Sequence, residues 1–333
     1  MSDALLENYS INDAAAALIE SEMRPCQEAL QIKFHTCRKG ATVIDMGVHE
    51  RAGFLAAKYF TEISLAGLGE LRYTKTKIGG RIFPAAAIFV DHPVVAELSS
   101  HSAIWRIQHC GVEKNFSGPV RGKVQDAYSK MAGYLDAKTE KAVMAYQIDY
   151  LPSESLVDLL VEKARVRPEN FYLMAARTGT MVGSVQIAAR NVEQTLPTLV
   201  DKKFPMEYVV CAMAMAPIVA VNDDEIEAYG RVNDALIYGQ ETNLTVDCPD
   251  EAITALLPRL TMDQGDNVPV YGLPFKQIFA QYNNDWCQLP RSYDAPSKIN
   301  FYNLRTGNSF SAGTHSPRTL LDAFYGEKGC VVQ

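Results

Sequence analysis

Residues 171–193 read FYLMAARTGTMVGSVQIAARNVE. The first six, Phe171 to Ala176, are apolar and end at a polar, glycine-containing stretch, the pattern of a buried strand. Arg177 to Thr180 reads as a small-residue loop. Ser184 is placed to cap a helix after it, and the first-turn N–H groups of such a helix favour an anion. Within one continuous helix Gln186, Arg190 and Glu193 fall at i, i+4 and i+7, on a single face, while Ile187, Ala188 and Val192 are left to pack. A strand that feeds a helix through a short loop is the unit of a mixed α/β fold.

The same alternation extends in both directions. Ile11 to Met23 has alanines and aliphatics at helical spacing, with Ser10 or Asn12 as cap and Pro25 as terminator. Ala41 to Asp45 reads as a short buried strand closed by Met46 and Gly47, and Phe54 to Leu65 as a helix. A β-like run from Ala85 to Val90 leads into Asp91-His92-Pro93, where Pro93 suits the first position of a helix running from Val94 to about Trp105. Lys114 to Val124 reads as a loop before a helix near Asp126 to Leu135. A charged helical segment between Pro152 and Pro168 precedes the strand at Phe171, and a domain seam is expected there. Tyr208 to Cys211 and Leu244 to Val246 repeat the β-like pattern in the second half.

Composition narrows the function. The chain has 333 residues, 47% of them hydrophobic and 21% charged, as in globular proteins with a sizeable core. Its 32 Lys and Arg against 39 Asp and Glu give a net charge of −7, and no basic block offsets it, so nucleic acid is not an expected partner. The seven cysteines are scattered and never form a C-x-x-C pair, which reads as cytosolic thiols rather than a disulfide framework or zinc knuckle. The start, Met1 to Asn8, lacks the basic and apolar regions of a signal peptide, and no run approaches the ~18 apolar residues of a membrane span. A cytoplasmic protein is the expectation.

The familiar catalytic signatures are missing. No G-x-G-x-x-G follows a strand, no phosphate-binding G-x-x-x-x-G-K-[ST] occurs, and neither H-E-x-x-H nor G-x-S-x-G is found. The six histidines include no i, i+4 pair for a zinc site on one helix face. A nucleotide-cofactor or zinc enzyme is therefore not indicated, and ligands gathered from distant segments stay open. For Arg190 and Glu193, spacing leaves two readings: a surface ion pair worth ~0.2–0.5 kcal/mol, or a carboxylate held by an arginine to take a proton from water.

Gly183-Ser184-Val185-Gln186-Ile187-Ala188-Ala189-Arg190, followed by Val192-Glu193, resembles the most distinctive motif of the methenyltetrahydromethanopterin cyclohydrolases. Gly40 to Asp45 with Gly47-Val48, Phe60 to Ile63, Asp91-His92-Pro93, and Ser117-Gly118-Pro119 with Arg121 resemble further landmarks of that family in the same order. So do Ala216-Pro217-Ile218, Gly230-Arg231 with Asn233-Asp234-Ala235, and Pro274-Phe275 with Tyr282. The likeness covers about Gly40 to Phe324. Met46, His49 to Ala52, Leu55, Ser100 to Trp105, Arg177, Ala212 and Ala214 depart from the family pattern.

The resemblance implies a mixed α/β (α+β) fold of two domains, here 1–165 and 166–333, with a substrate cleft between them and the Arg190/Glu193 helix in the second. It implies hydrolysis of a methenyl bridge on a pterin carrier, with the small-molecule pterin as substrate, no cofactor, and a homo-oligomer, commonly a trimer. Glu193 is then the general base and Arg190 the residue that orients it. Gln186, Ser184, Asp91, His92, Asp45, Ser117, Arg121, Arg231, Asn233 and Asp234 are the substrate-binding candidates. Local alternatives stay open: Asp91 and His92 as a helix cap and a packed imidazole, Asp45 as the closure of a turn, Ser117 as a loop hydroxyl and Arg121 as a solvated charge. A paralogue acting on another cyclic amidine, or a silent pterin-binding protein, also stays open.

Overall fold

A computed structural model describes residues 6–265 and 270–325, so Met1 to Leu5 of the expected leaderless start and Cys330 lie outside the described residues. The fold is mixed α/β. The chain divides into two compact units, residues 1–70 with 94–186 and residues 71–93 with 187–333. This differs from one seam near residue 165, because the strand Phe171–Ala176 pairs with strands from earlier in the chain and keeps the segment up to Gln186 in the first unit.

The first unit is built on a four-stranded sheet of β1 (Lys33–Thr36), β2 (Thr42–Asp45), β7 (Ala142–Gln147) and β8 (Phe171–Ala176), in the order β1-β2-β8-β7. β2, β8 and β7 run parallel, and β1 is antiparallel to β2 at the edge. All residues of β2 and β8 are buried, as parallel strands covered on both faces must be. Val43, Met144, Leu160, Phe171 and Leu173 belong to its core cluster.

The opening helix is capped by Ser10, whose hydroxyl accepts the Asp13 N–H, and not by Asn12. Asn12 is buried, and its amide holds the Pro119 carbonyl, the Asp136 carboxylate and the Val143 N–H. Pro25 does not end the helical path. It sits at the start of a 3-10 turn, where its missing N–H costs nothing, and the path ends at Gln31 in the left-handed region.

Two further expectations are corrected in this unit. The helix after Pro93 is short, Val94–His101, and is wound as a π-helix that closes with Ser102 N–H donating to the Glu97 carbonyl. The polar stretch read as a loop contains β6 (Val112–Phe116), paired antiparallel with β5 (Trp105–His109), and the short helix Val120–Val124. Glu113, Lys114 and Asn115 hide the strand in a polar composition. Phe116, fully buried with its ring 4.4 Å from that of Tyr146, is what anchors it.

The second unit holds a six-stranded sheet of β3 (Gly69–Ile78), β4 (Arg81–Val90), β9 (Val209–Pro217), β10 (Glu241–Val246), β11 (Lys298–Asn303) and β12 (Ser309–Gly313), in the order β12-β11-β10-β9-β4-β3. β10 and β11 are parallel, whereas β9 is antiparallel to both β4 and β10. Thr242, Leu244 and Val246 are buried while Glu241, Asn243 and Thr245 are half-buried, the period of two of a sheet covered on one face. The helices Asn191–Asp201 and Glu225–Gly239 pack on β9. Among the described residues no helix is long and apolar enough to cross a membrane.

Candidate functional site

The carboxyl ends of β2, β7 and β8 lie side by side, the edge of a parallel sheet where ligands are commonly bound. Asp45 ends β2, and its buried carboxylate accepts the N–H groups of Gly47 at 3.0 Å, Val48 at 2.7 Å and His49 at 3.0 Å. Both oxygens are thus spent on folding the loop over the strand end. The turn closure open to Asp45 is made by these bonds.

Gln147 ends β7, a strand with no place in the sequence reading. Its amide oxygen accepts from Gln186 Nε2 at 2.7 Å, and its amide nitrogen donates to the Thr178 hydroxyl. β7 is therefore tied both to the loop after β8 and to the helix Met181–Ala188. Its only sequence signal is a polar amide closing the apolar run Ala142 to Tyr146, matching Asp45 at the end of β2.

The helix begins earlier than expected, and Ser184 does not cap it. Thr180 does: its hydroxyl accepts the Gly183 N–H at 3.2 Å and donates to the Arg177 carbonyl at 2.8 Å, while its carbonyl takes the Ser184 N–H. Ser184 and Gln186 are buried inside the helix.

That helix stops at Ala188, and a second one, Asn191–Asp201, begins after a turn at Ala189 and Arg190. The continuous face expected for Gln186, Arg190 and Glu193 therefore does not exist. Asn191 is the cause. Its Nδ2 donates to the Ala188 carbonyl at 3.1 Å, the acceptor Val192 would use in an unbroken helix, and its Oδ1 takes the Val192 N–H at 2.9 Å. Arg190 instead donates its N–H to Ile187, a tighter i−3 closure.

The break leaves Arg190 ahead of the second helix and Glu193 in its first turn. Arg190 Nη1 lies 3.7 Å from Glu193 Oε2, with side chains 9% and 15% exposed. This is not the solvated surface pair that spacing alone allows, since both groups have lost most of their water.

The other candidates divide by unit. In the first unit Ser117 is buried and donates to the Ala145 carbonyl, a bond that holds its loop against β7. Arg121 is fully buried: Nε and Nη2 grip the Asp126 carboxylate at 2.6 and 2.9 Å, and Nη2 and Nη1 reach the Leu98 and Ser100 carbonyls. It is a clamp on the carbonyl end of the π-helix rather than a solvated charge. Fully buried in that same helix, His101 Nδ1 sits 2.9 Å from Glu97 Oε2, a pairing that no sequence motif announces.

In the second unit Asp91 is exposed and His92 half-buried. Arg231 bonds Glu227, whose other oxygen is held by Lys276, and the lysine and arginine bonds together lower the Glu227 carboxyl's pKa. Asn233 donates to the Tyr229 carbonyl within its own helix. Asp234 is buried, and burial raises its pKa to about 8 although its Oδ1 accepts the Phe275 N–H at 2.7 Å. It fixes the start of the helix Phe275–Gln281.

Among the described residues no three of His, Cys, Asp and Glu gather as a metal site, and the six described cysteines are free. The chain matches the cyclohydrolase (MCH) family profile over residues 10–324. It is 32% identical over 318 residues to a methenyltetrahydromethanopterin cyclohydrolase of Methanococcoides burtonii, covering 95% of this chain and 98% of that one. A protein of the same name from Methanosarcina barkeri gives the same identity and coverage, and one from Methanothermobacter marburgensis is 29% identical over 325 residues, 95% of this chain and 99% of that one. The motif at residues 183–193 and this match over 95% of the chain agree: the chain is an enzyme of the cyclohydrolase family.

Proposed function

We propose that this enzyme hydrolyses the methenyl bridge of 5,10-methenyltetrahydromethanopterin to the 5-formyl derivative, with Glu193 as general base and Arg190 as the group that orients it. The substrate comes from the names that the relatives carry. The observation that favours the roles is the Arg190/Glu193 pair, which is tight enough to feel each other's charge yet too long, at 3.7 Å, to be a closed hydrogen bond. A carboxylate held this way keeps lone pairs for water.

The methenyl carbon belongs to a cationic amidinium and is already electrophilic. Water adds to it as Glu193 takes one proton. The carbinol then loses its remaining O–H proton as the carbonyl forms, one C–N bond breaks, and the released nitrogen takes up a proton. The formyl group stays on the other nitrogen, and one proton per turnover leaves to solvent. Gln186, held by Gln147, is assigned to substrate positioning. Family kinship is also the ground for taking the enzyme as a cytoplasmic homo-oligomer.

The test is Glu193→Gln. It keeps the side-chain shape and removes the base, so kcat should fall by ~10²–10⁴-fold while substrate affinity stays near wild type. Wild-type kcat in that variant would remove Glu193 from the mechanism.

A further inference from the structure

Far along the helix that starts with Asn191, its last turn forms one wall of a cavity of about 150 Å³. Thr198, Asp201 and Lys202 line it from the helix end. Arg259 comes from the 3-10 turn Leu257–Arg259, Gln264 from the turn that follows, and Arg291 and Ser292 from a second 3-10 turn.

The charges in this wall are unbalanced. Lys202, Arg259 and Arg291 are cationic, and Asp201 is the one carboxylate among the lining residues. Arg291 Nε takes that carboxylate at 3.2 Å. Among the described residues the Lys202 ammonium and the Arg259 guanidinium have no ion-pair partner. Neutral donors stand beside them. The Gln264 side-chain oxygen accepts the Leu260 N–H, which leaves its NH₂ group as a donor, and Ser292 adds an exposed hydroxyl.

We propose that this cavity is a binding site for a tetrahedral oxyanion of the phosphate class. The wall carries three positive charges against one negative in a chain whose net charge is −7. The overall field repels anions, so attraction has to be local, and concave walls concentrate it. Guanidinium and ammonium groups together match several oxygens of one small polyanion with charge-assisted bonds. A volume of about 150 Å³ holds one such ion and some water, each water taking ~30 Å³. The site involves neither Arg190 nor Glu193, and the inference does not rest on the mechanism above.

The experiment is thermal unfolding and calorimetric titration of the full-length protein with inorganic phosphate, against sodium chloride at matched ionic strength. The expected result is a saturable rise in Tm with phosphate and none with chloride. The double variant Lys202→Gln/Arg259→Gln should bind phosphate at least about tenfold more weakly, since it loses two charge-assisted partners. Both side chains are at least partly exposed, and an unchanged Tm without phosphate verifies that the variant folds. No saturable response in the wild type, or equal binding by the double variant, overturns the proposal. Steady-state kinetics separates two sources of the ligand. If phosphate competes with substrate and the double variant raises KM at constant kcat, the site takes a phosphoryl group carried on the substrate. If phosphate binds without changing KM, it takes the free ion.

Discussion

The Cα of Gly183 lies so close to the Arg177 carbonyl that a Cβ added there would sit 2.0 Å from its oxygen, and 2.6 Å from that of Thr178. Neither neighbour is the end of a flexible side chain. A methyl group at residue 183 must push back the loop that Thr180 and Gln147 hold over the end of β8. Gly183→Ala should cost roughly 1–3 kcal/mol, the usual range for overpacking, and should lower kcat as Gln186 and the loop shift. Gly53→Ala is the control, since nothing lies within 4 Å of a Cβ there. Urea denaturation of the two variants decides the matter: equal stabilities would mean that the loop yields freely.

Arg121 tests whether a buried guanidinium serves the fold or a ligand. Its removal would take the donor from two carbonyls and the cation from the Asp126 carboxylate, which would keep only the Tyr128 and Ser129 N–H groups. Arg121→Met should therefore destabilise the protein by about 3–5 kcal/mol, the range for breaking one side of a buried ion pair. Arg121→Lys should recover part of this, because an ammonium cannot reproduce the two-pronged grip. A variant of wild-type stability with a raised KM would reverse the assignment and make Arg121 a ligand-binding residue.

What the sequence made legible follows the physics of each element. β2 and β8 stand out because they are buried on both faces and carry continuous apolar runs between turns. β7 does not, because its alanines and methionine have little β preference and it is held as a strand by pairing with β8. The break at Ala189 and Arg190 is also silent in periodicity. It depends on which acceptor the Asn191 amide takes, a choice made by one side chain against the backbone. The sequence offers Arg121 as an anion-holding residue or a solvated charge and not as a clamp, because Leu98 and Ser100, whose carbonyls it binds, lie more than twenty residues earlier. The ancestry, by contrast, was readable from motif order alone, since it needs no contact to be known.

Gln147 offers a prediction about positioning. Replacing it with Leu keeps the volume but removes the acceptor for Gln186 and the donor to Thr178. Each such hydrogen bond contributes about 0.5–1.5 kcal/mol net, so the loss of both in Gln147→Leu should cost about 1–3 kcal/mol of stability. If Gln186 meets the substrate, KM should rise more than kcat falls, and Gln147→Glu, which restores the acceptor alone, should recover part of the affinity. Unchanged KM in both variants would confine the network to a structural role.

Asp234 sets a pH dependence of stability whose sign follows from its environment. Burial is the largest cause and raises the pKa, the Phe275 N–H opposes it, and the charge of Glu227 adds to the rise, leaving the folded value at about 8. In the unfolded chain the group titrates near its ordinary 3.8. Between these two values the folded protein holds a proton that the unfolded chain has released. Stability contributed by this site therefore falls as pH rises from about 4 to about 8 and levels off above, where both states are ionised. In Asp234→Asn the amide oxygen can still accept the Phe275 N–H, and nothing there titrates. Urea denaturation of the two proteins at pH 5, 6.5 and 8 should give a difference that grows in favour of the variant toward pH 8. Parallel curves would mean that Asp234 is ionised in the folded state, with its charge compensated by a group other than the Phe275 amide.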